Sequence, residues 1–191
     1  MRKLILEEWI SLDGYATDQN NQLDFFTGLA HDQNIYSDSD QLKFLETVDT
    51  ILLGRKTYEL FFEFWPTATV EEEAIADRLN ELPKIVFSNT ITKAPWGKWE
   101  DARVISGDSI AAVKELKSQS GKDMVLWGSL SFAQALMKAD LIDEYHVQIC
   151  PVLNGGGRSL FSGDLDFTKL HLKETRQYNT GVTYLNYERQ K

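Results

Sequence analysis

The stretch that most constrains the fold is Met124-Val-Leu-Trp-Gly-Ser-Leu-Ser-Phe-Ala-Gln-Ala-Leu-Met137. Its apolar run, Met124 to Trp127, is too short for a helix and follows the charged Lys122-Asp123. That pattern reads as a strand buried on both faces. The chain then turns at Gly128. Ser129 is a favoured N-cap residue, and Phe132, Ala133, Leu136 and Met137 follow at helical spacing. A buried strand therefore runs through a glycine directly into a helix. Helix N-termini carry unpaired N–H groups and partial positive charge, so such a junction can hold an anion such as phosphate. The same residues also suit a plain βα turn that needs glycine for its backbone angles.

The pattern recurs. Thr50-Ile-Leu-Leu53 is a second buried strand that ends in Gly54-Arg-Lys-Thr57 and a helix to about Phe62. Lys84-Ile-Val-Phe87 is a third, ending in Ser88-Asn89. Ligands of open α/β sheets sit at the carboxyl ends of strands. Thr57, Ser88, Asn89 and Ser129 offer hydroxyls or amides there, while Arg55 and Lys56 carry charge that suits phosphate. Around these lie a first strand, Leu4 to Ile10, and a turn on Asp13-Gly14. A helix starts near Ser39, and a Thr69/Glu72 capping box opens an acidic helix to about Leu82, which Pro83 stops. Arg103 to Ile105 is a short strand, followed by a helix capped by Asp108 and ended before Gly121. A strand from Ile142 to Cys150 alternates apolar with polar residues, so it should be half-buried. Two last strands flank Asn179-Thr-Gly181, a hairpin with glycine at positive φ. Strands alternating with helices and closed by an antiparallel hairpin predict a single α/β domain, residues 1–191, with a mixed sheet.

The chain resembles the dihydrofolate reductase superfamily, and within it the stand-alone proteins similar to the reductase (RibD C-terminal) domain of the bifunctional riboflavin-biosynthesis deaminase–reductase. The pieces that carry the resemblance are Ser11-Leu-Asp-Gly14, Ile51-Leu-Leu-Gly-Arg-Lys-Thr57, Ile85-Val-Phe-Ser-Asn89, Val125-Leu-Trp-Gly-Ser129, Leu141-Ile-Asp-Glu-Tyr145 and Pro151-Val-Leu-Asn-Gly-Gly-Gly-Arg-Ser-Leu-Phe161. The resemblance implies a three-layer sandwich and an NADPH-dependent reductase that passes hydride to a pteridine, a pyrimidine or a related substrate. Its label would be 5-amino-6-(5-phosphoribosylamino)uracil reductase of riboflavin biosynthesis. Carried over by position, Gly54, Arg55, Lys56 and Thr57 would meet the 2′-phosphate and pyrophosphate. Ser88 and Asn89 would lie near the adenosine. Gly128, Ser129 and Leu130 would hold the pyrophosphate, with Trp127 and Phe132 beside them in the cofactor site. Trp9, Ile10 and Ala16 would line the nicotinamide, although Trp9 and Ile10 also read as core. Where the family often has two glycines, this chain has Trp127-Gly128. The family often has a cis peptide there, and one is expected here. The zinc-binding half of the bifunctional enzyme has no counterpart.

Reducing a C=N bond requires a proton as well as a hydride. By analogy with the carboxylate at the first helix of dihydrofolate reductases, Asp40 is the first candidate acid and Asp38 the second. Acids at helix N-termini are also favoured by the dipole alone. Asp24 and His31 are outside candidates. The net charge of -9, with no basic tract, argues against nucleic acid as a partner. One cysteine, Cys150, fits a reducing compartment, and no apolar run approaches ~18 residues, so a cytoplasmic protein with no metal site is expected. The aromatic tail, with Tyr178, Tyr184 and Tyr187, predicts a homodimer that covers its edge. The competing functional class is a nucleotide-binding sensor without turnover on the same fold.

Overall fold

The computed structural model describes residues 1–25, 38–161 and 163–190. Its eight strands belong to a mixed sheet with helices, the α/β class expected from the sequence. The chain divides into two compact units, Met1–Leu4 with Asp38–Ser129, and Ile5–Ser37 with Leu130–Lys191.

The first unit holds four strands: β2 (Val48–Gly54), β3 (Lys84–Phe87), β4 (Arg103–Ile105) and β5 (Asp123–Trp127). They lie in the order β4-β3-β2-β5, and all three pairings are parallel. Parallel neighbours need long crossovers, and helices supply them. After α1 (Asp38–Thr47), α2 (Arg55–Phe64) and α3 (Ala76–Glu81) lie between β2 and β3, and α4 (Ser109–Ser118) lies between β4 and β5. Ile51, Leu52, Leu53, Val125 and Leu126 are fully buried, as continuous apolar runs on interior parallel strands should be. Asp108 caps α4 as its sequence position predicts, accepting from the N–H groups of Ile110 and Ala111 at 3.0 Å each. The predicted acidic helix is shorter. The Glu72 carboxylate takes the Thr69 N–H at 3.0 Å, but it closes a turn, and α3 begins only at Ala76. Residues 69–72 are exposed, so no packed face holds that segment helical.

The second unit carries β1 (Leu4–Ser11) from Ile5 onward, α5 (Leu130–Lys138), β6 (Glu144–Cys150), β7 (Leu170–Gln177) and β8 (Thr183–Arg189). β1 pairs with β6 in parallel, and β8 runs antiparallel to both β6 and β7. The tail hairpin forms as predicted, with Gly181 at φ 86°. The half-buried reading of β6 is overturned. His146, Gln148 and Cys150 are as buried as Tyr145 and Val147, so side chains on both faces of β6 are covered.

Candidate cofactor-binding site

Two strand ends of the first unit are tied together by side chains. Gly54 closes β2 and, as the residue before α2, has extended backbone angles and no side-chain cap. Its N–H donates to Ser129 Oγ at 2.8 Å, and Ser129 Oγ donates to the Trp127 carbonyl at 3.0 Å. The Ser129 N–H donates to Thr57 Oγ1 at 2.9 Å, which joins the end of β5 to the first turn of α2. Glycine is favoured at Gly128 on two counts. Its φ is 55°, and an added Cβ would lie 3.1 Å from Thr57 Cγ2.

This lock corrects two expectations. Ser129 has φ 59°, whereas an N-cap residue is extended, so its hydroxyl joins two strand ends in place of simple capping. The Trp127–Gly128 peptide is trans, since there are no cis bonds among the described residues. Two successive left-handed residues, Gly128 and Ser129, reverse the chain instead. Trp127 is buried and packs 6.0 Å from the Phe61 ring of α2. The bulky ring that departs from the family pattern thus fills the space between β5 and α2.

The first turn of α2 offers backbone N–H groups, with Lys56 exposed beside them and no acid in that turn. Arg55 reaches forward to Glu59, with Nη1 2.7 and 2.9 Å from the two carboxylate oxygens. Any anion at this turn therefore competes with Glu59 for Arg55. Ser88 and Asn89 stand at the end of β3, the neighbour of β2, but both side chains have local work. Ser88 Oγ accepts from the Thr90 and Ile91 N–H groups, and Asn89 Oδ1 accepts from the Gly107 N–H at 2.7 Å. Asp40 lies in the first turn of α1, 3.5 Å from Lys43 Nζ. The Asp38 side chain and His31 lie outside the described residues, and Asp24 is exposed.

In the second unit, Ile10 and Ala16 are buried and Trp9 is half-buried. Leu130 is buried in the first turn of α5, and Phe132 is half-buried. Sequence reasoning passed over the two carboxylates that precede Trp9. Glu7 is buried, and the half-buried Glu8 has its Oε2 sealed from solvent without a hydrogen-bond partner. Burial is the main cause that pushes the Glu8 carboxyl up to about 8. Glu7 adds to the rise, and the Trp9 N–H and Arg158 oppose it. The signal was available: two adjacent acids inside the apolar run Leu4 to Ile10 demand a reason.

The family described as the RibD C-terminal domain matches this chain over residues 2–184. The chain belongs to the RibD C-terminal domain family. It is 31% identical over 184 residues to YwjB of Bacillus subtilis (strain 168), covering 95% of both chains. Among solved structures, it is similar to a candidate riboflavin biosynthesis protein of Shewanella sp. PV-4, with a TM-score of 0.78 and 23% identity over 99% of both chains. It is also similar to the dihydrofolate reductase of Enterococcus faecalis complexed with NADP(H) and RAB-propyl. There the TM-score is 0.59 and the identity 14%, over 99% of this chain and 97% of that one. These two likenesses establish the dihydrofolate reductase-like fold.

In this RibD C-terminal domain two further family pieces, Ser11 to Gly14 and Pro151 to Phe161, have structural work. Asp13, from Ser11-Leu-Asp-Gly14, accepts from the N–H groups of Asn154 and Gly155 at 3.1 and 2.8 Å. A hydrogen bond from Ser11 Oγ at 2.6 Å is the main cause that holds its carboxyl below the usual range. The Ala16 N–H donates to the Arg158 carbonyl at 2.8 Å, and the Arg158 N–H donates to Thr17 Oγ1 at 3.0 Å. A Cβ on Gly157 would sit 2.0 Å from the Thr17 carbonyl oxygen. The loop after β1 and the triple-glycine loop after β6 are therefore fastened to each other.

Proposed function

We propose that the protein is an NADPH-dependent reductase that transfers hydride to a pteridine, a pyrimidine or a related ring. The observation that carries this reading is the start of α2. It is a ten-residue helix at a parallel-strand end, without a side-chain cap or first-turn acid, and its first two residues are Arg55 and Lys56. Cations are disfavoured at a helix N-terminus; Glu59 meets Arg55, Lys56 is exposed beside it, and the 2′-phosphate of NADPH has the chemistry to take up both. Membership of the RibD C-terminal domain family supports a reductase. Trp9, Ile10 and Ala16 keep the nicotinamide-lining role implied by the resemblance, and Asp40 keeps that of proton donor, with Asp38 second.

The test is NADPH consumption followed by absorbance with a panel of pterins and pyrimidines. Oxidation dependent on one of them supports the reading. NADPH binding without oxidation of any would favour the sensor class. Asp40→Asn should lower turnover on the accepted substrate by about 100-fold, the lower end for loss of a general acid, with NADPH binding unchanged. An unaltered rate would remove Asp40 from the mechanism.

A further inference from the structure

Arg55 and Glu59 form an ion pair that does little for the helix it sits on. The two side chains are 39% and 47% exposed, and exposed pairs add little stability. The order is also the weaker one, with the cation nearer the N-terminus and the acid four residues on. What the pair does fix is the guanidinium. Both contacts, at 2.7 and 2.9 Å, come from Nη1, which forks to the two carboxylate oxygens. Nε and Nη2 make no hydrogen bond among the described residues. These two nitrogens form one edge of the guanidinium, and two parallel N–H bonds from such an edge suit a phosphate. An anion and Glu59 thus compete for the charge of Arg55 but not for the same N–H groups. Lys56, three residues before Glu59, pairs with no acid among the described residues, so the tether falls on Arg55 alone.

The geometry points to Glu59 as a positioning residue for cofactor choice. On the NADPH reading of this site, on which the inference rests, Glu59 holds Arg55 by Nη1 and leaves the Nε–Nη2 edge ready for the 2′-phosphate. A long side chain that is free before binding loses rotamers when it binds, and that ordering weakens affinity. Glu59 has already ordered Arg55 in the free protein. Its carboxylate also repels an incoming phosphate. The hydrogen bond and the charge therefore act in opposite directions. An amide separates them, because glutamine keeps an acceptor for Nη1 without the charge. NADH carries a hydroxyl in place of the 2′-phosphate, so both effects are absent for it.

The experiment is calorimetric titration of NADPH and NADH into the full chain and into Glu59→Ala, Glu59→Gln and Arg55→Ala. Both Glu59 variants lack the charge, and only Glu59→Gln keeps the acceptor, so their ratio isolates the tether. The expected result is that Glu59→Ala binds NADPH about three- to tenfold more weakly than Glu59→Gln, the range for leaving one long side chain unordered. NADH should bind the two alike. In chains that also carry Arg55→Ala, the two Glu59 substitutions should no longer differ for NADPH, which a general effect on the helix would not produce. Equal NADPH affinity of Glu59→Ala and Glu59→Gln would overturn the inference. So would a difference that persists without Arg55 or that appears equally for NADH. If Arg55→Ala weakens NADPH binding while the two Glu59 variants bind alike, the cofactor reading stands and the tether alone falls. If NADPH does not bind, or binds Arg55→Ala as it binds the wild type, the cofactor reading falls and the tether with it.

Discussion

At the scale of single residues, Glu8 is the side chain whose cost is easiest to measure. Its carboxyl is neutral in the folded protein up to about pH 8, whereas in the unfolded chain it ionises near 4.5. A raised folded value means that the group's contribution to stability is complete below pH 4.5 and is lost as pH rises toward 8. Over that window the loss is on the order of 2–4 kcal/mol, given the partial exposure of the residue. Glu8→Gln keeps a neutral amide and removes the titration. The melting temperature of the variant should therefore gain on the wild type steadily between pH 5 and pH 8. Parallel curves would show that Glu8 is ionised in the fold. The two acids inside the apolar run of β1 were legible as an anomaly, but the burial of Gln148 was not. Whether a polar side chain in an alternating strand faces water depends on what covers the strand, and a pattern does not record the cover.

Among elements, the strand-to-helix junctions were the most readable part of the chain. Buried strands, Gly54, Gly128 and the Asp108 cap all stand where the residues predict, because each follows from local backbone chemistry. What the sequence did not reveal was the hydrogen bonding across the junctions. The bonds of Ser129 to Gly54 and Thr57 span more than seventy residues, and the salt bridge from Arg55 to Glu59 is one of several arrangements the spacing allows. The acidic segment at Thr69 misled for the opposite reason, since its local signal was strong and no packing completed it. The junction at the end of β5 carries its own prediction. Gly128→Ala adds a Cβ at positive φ and against Thr57, and a left-handed alanine alone costs roughly 1–2 kcal/mol. Chemical denaturation should show at least that loss, and Thr57→Ser in the same chain should recover part of it by removing the methyl that the new Cβ meets. A neutral Gly128→Ala would mean that the turn rearranges freely.

For the whole molecule, the hairpin leaves β7 at the edge of the strand order, with Leu170 and Leu172 exposed on it. Exposed edges with apolar side chains are commonly covered by a partner. We propose that the chain pairs with a second copy, and light scattering at micromolar concentration should give twice the chain mass; a monomer would refute this. The central claim concerns the cofactor. NADPH and NADH differ only by the 2′-phosphate, and Arg55 is the residue held to read it. Calorimetric titration of both cofactors into the wild type and Arg55→Ala should show NADPH binding more tightly than NADH to the wild type. The variant should lose ~1.5–3 kcal/mol for NADPH and almost nothing for NADH. Equal losses for the two cofactors, or an NADPH affinity indifferent to Arg55, would contradict the account.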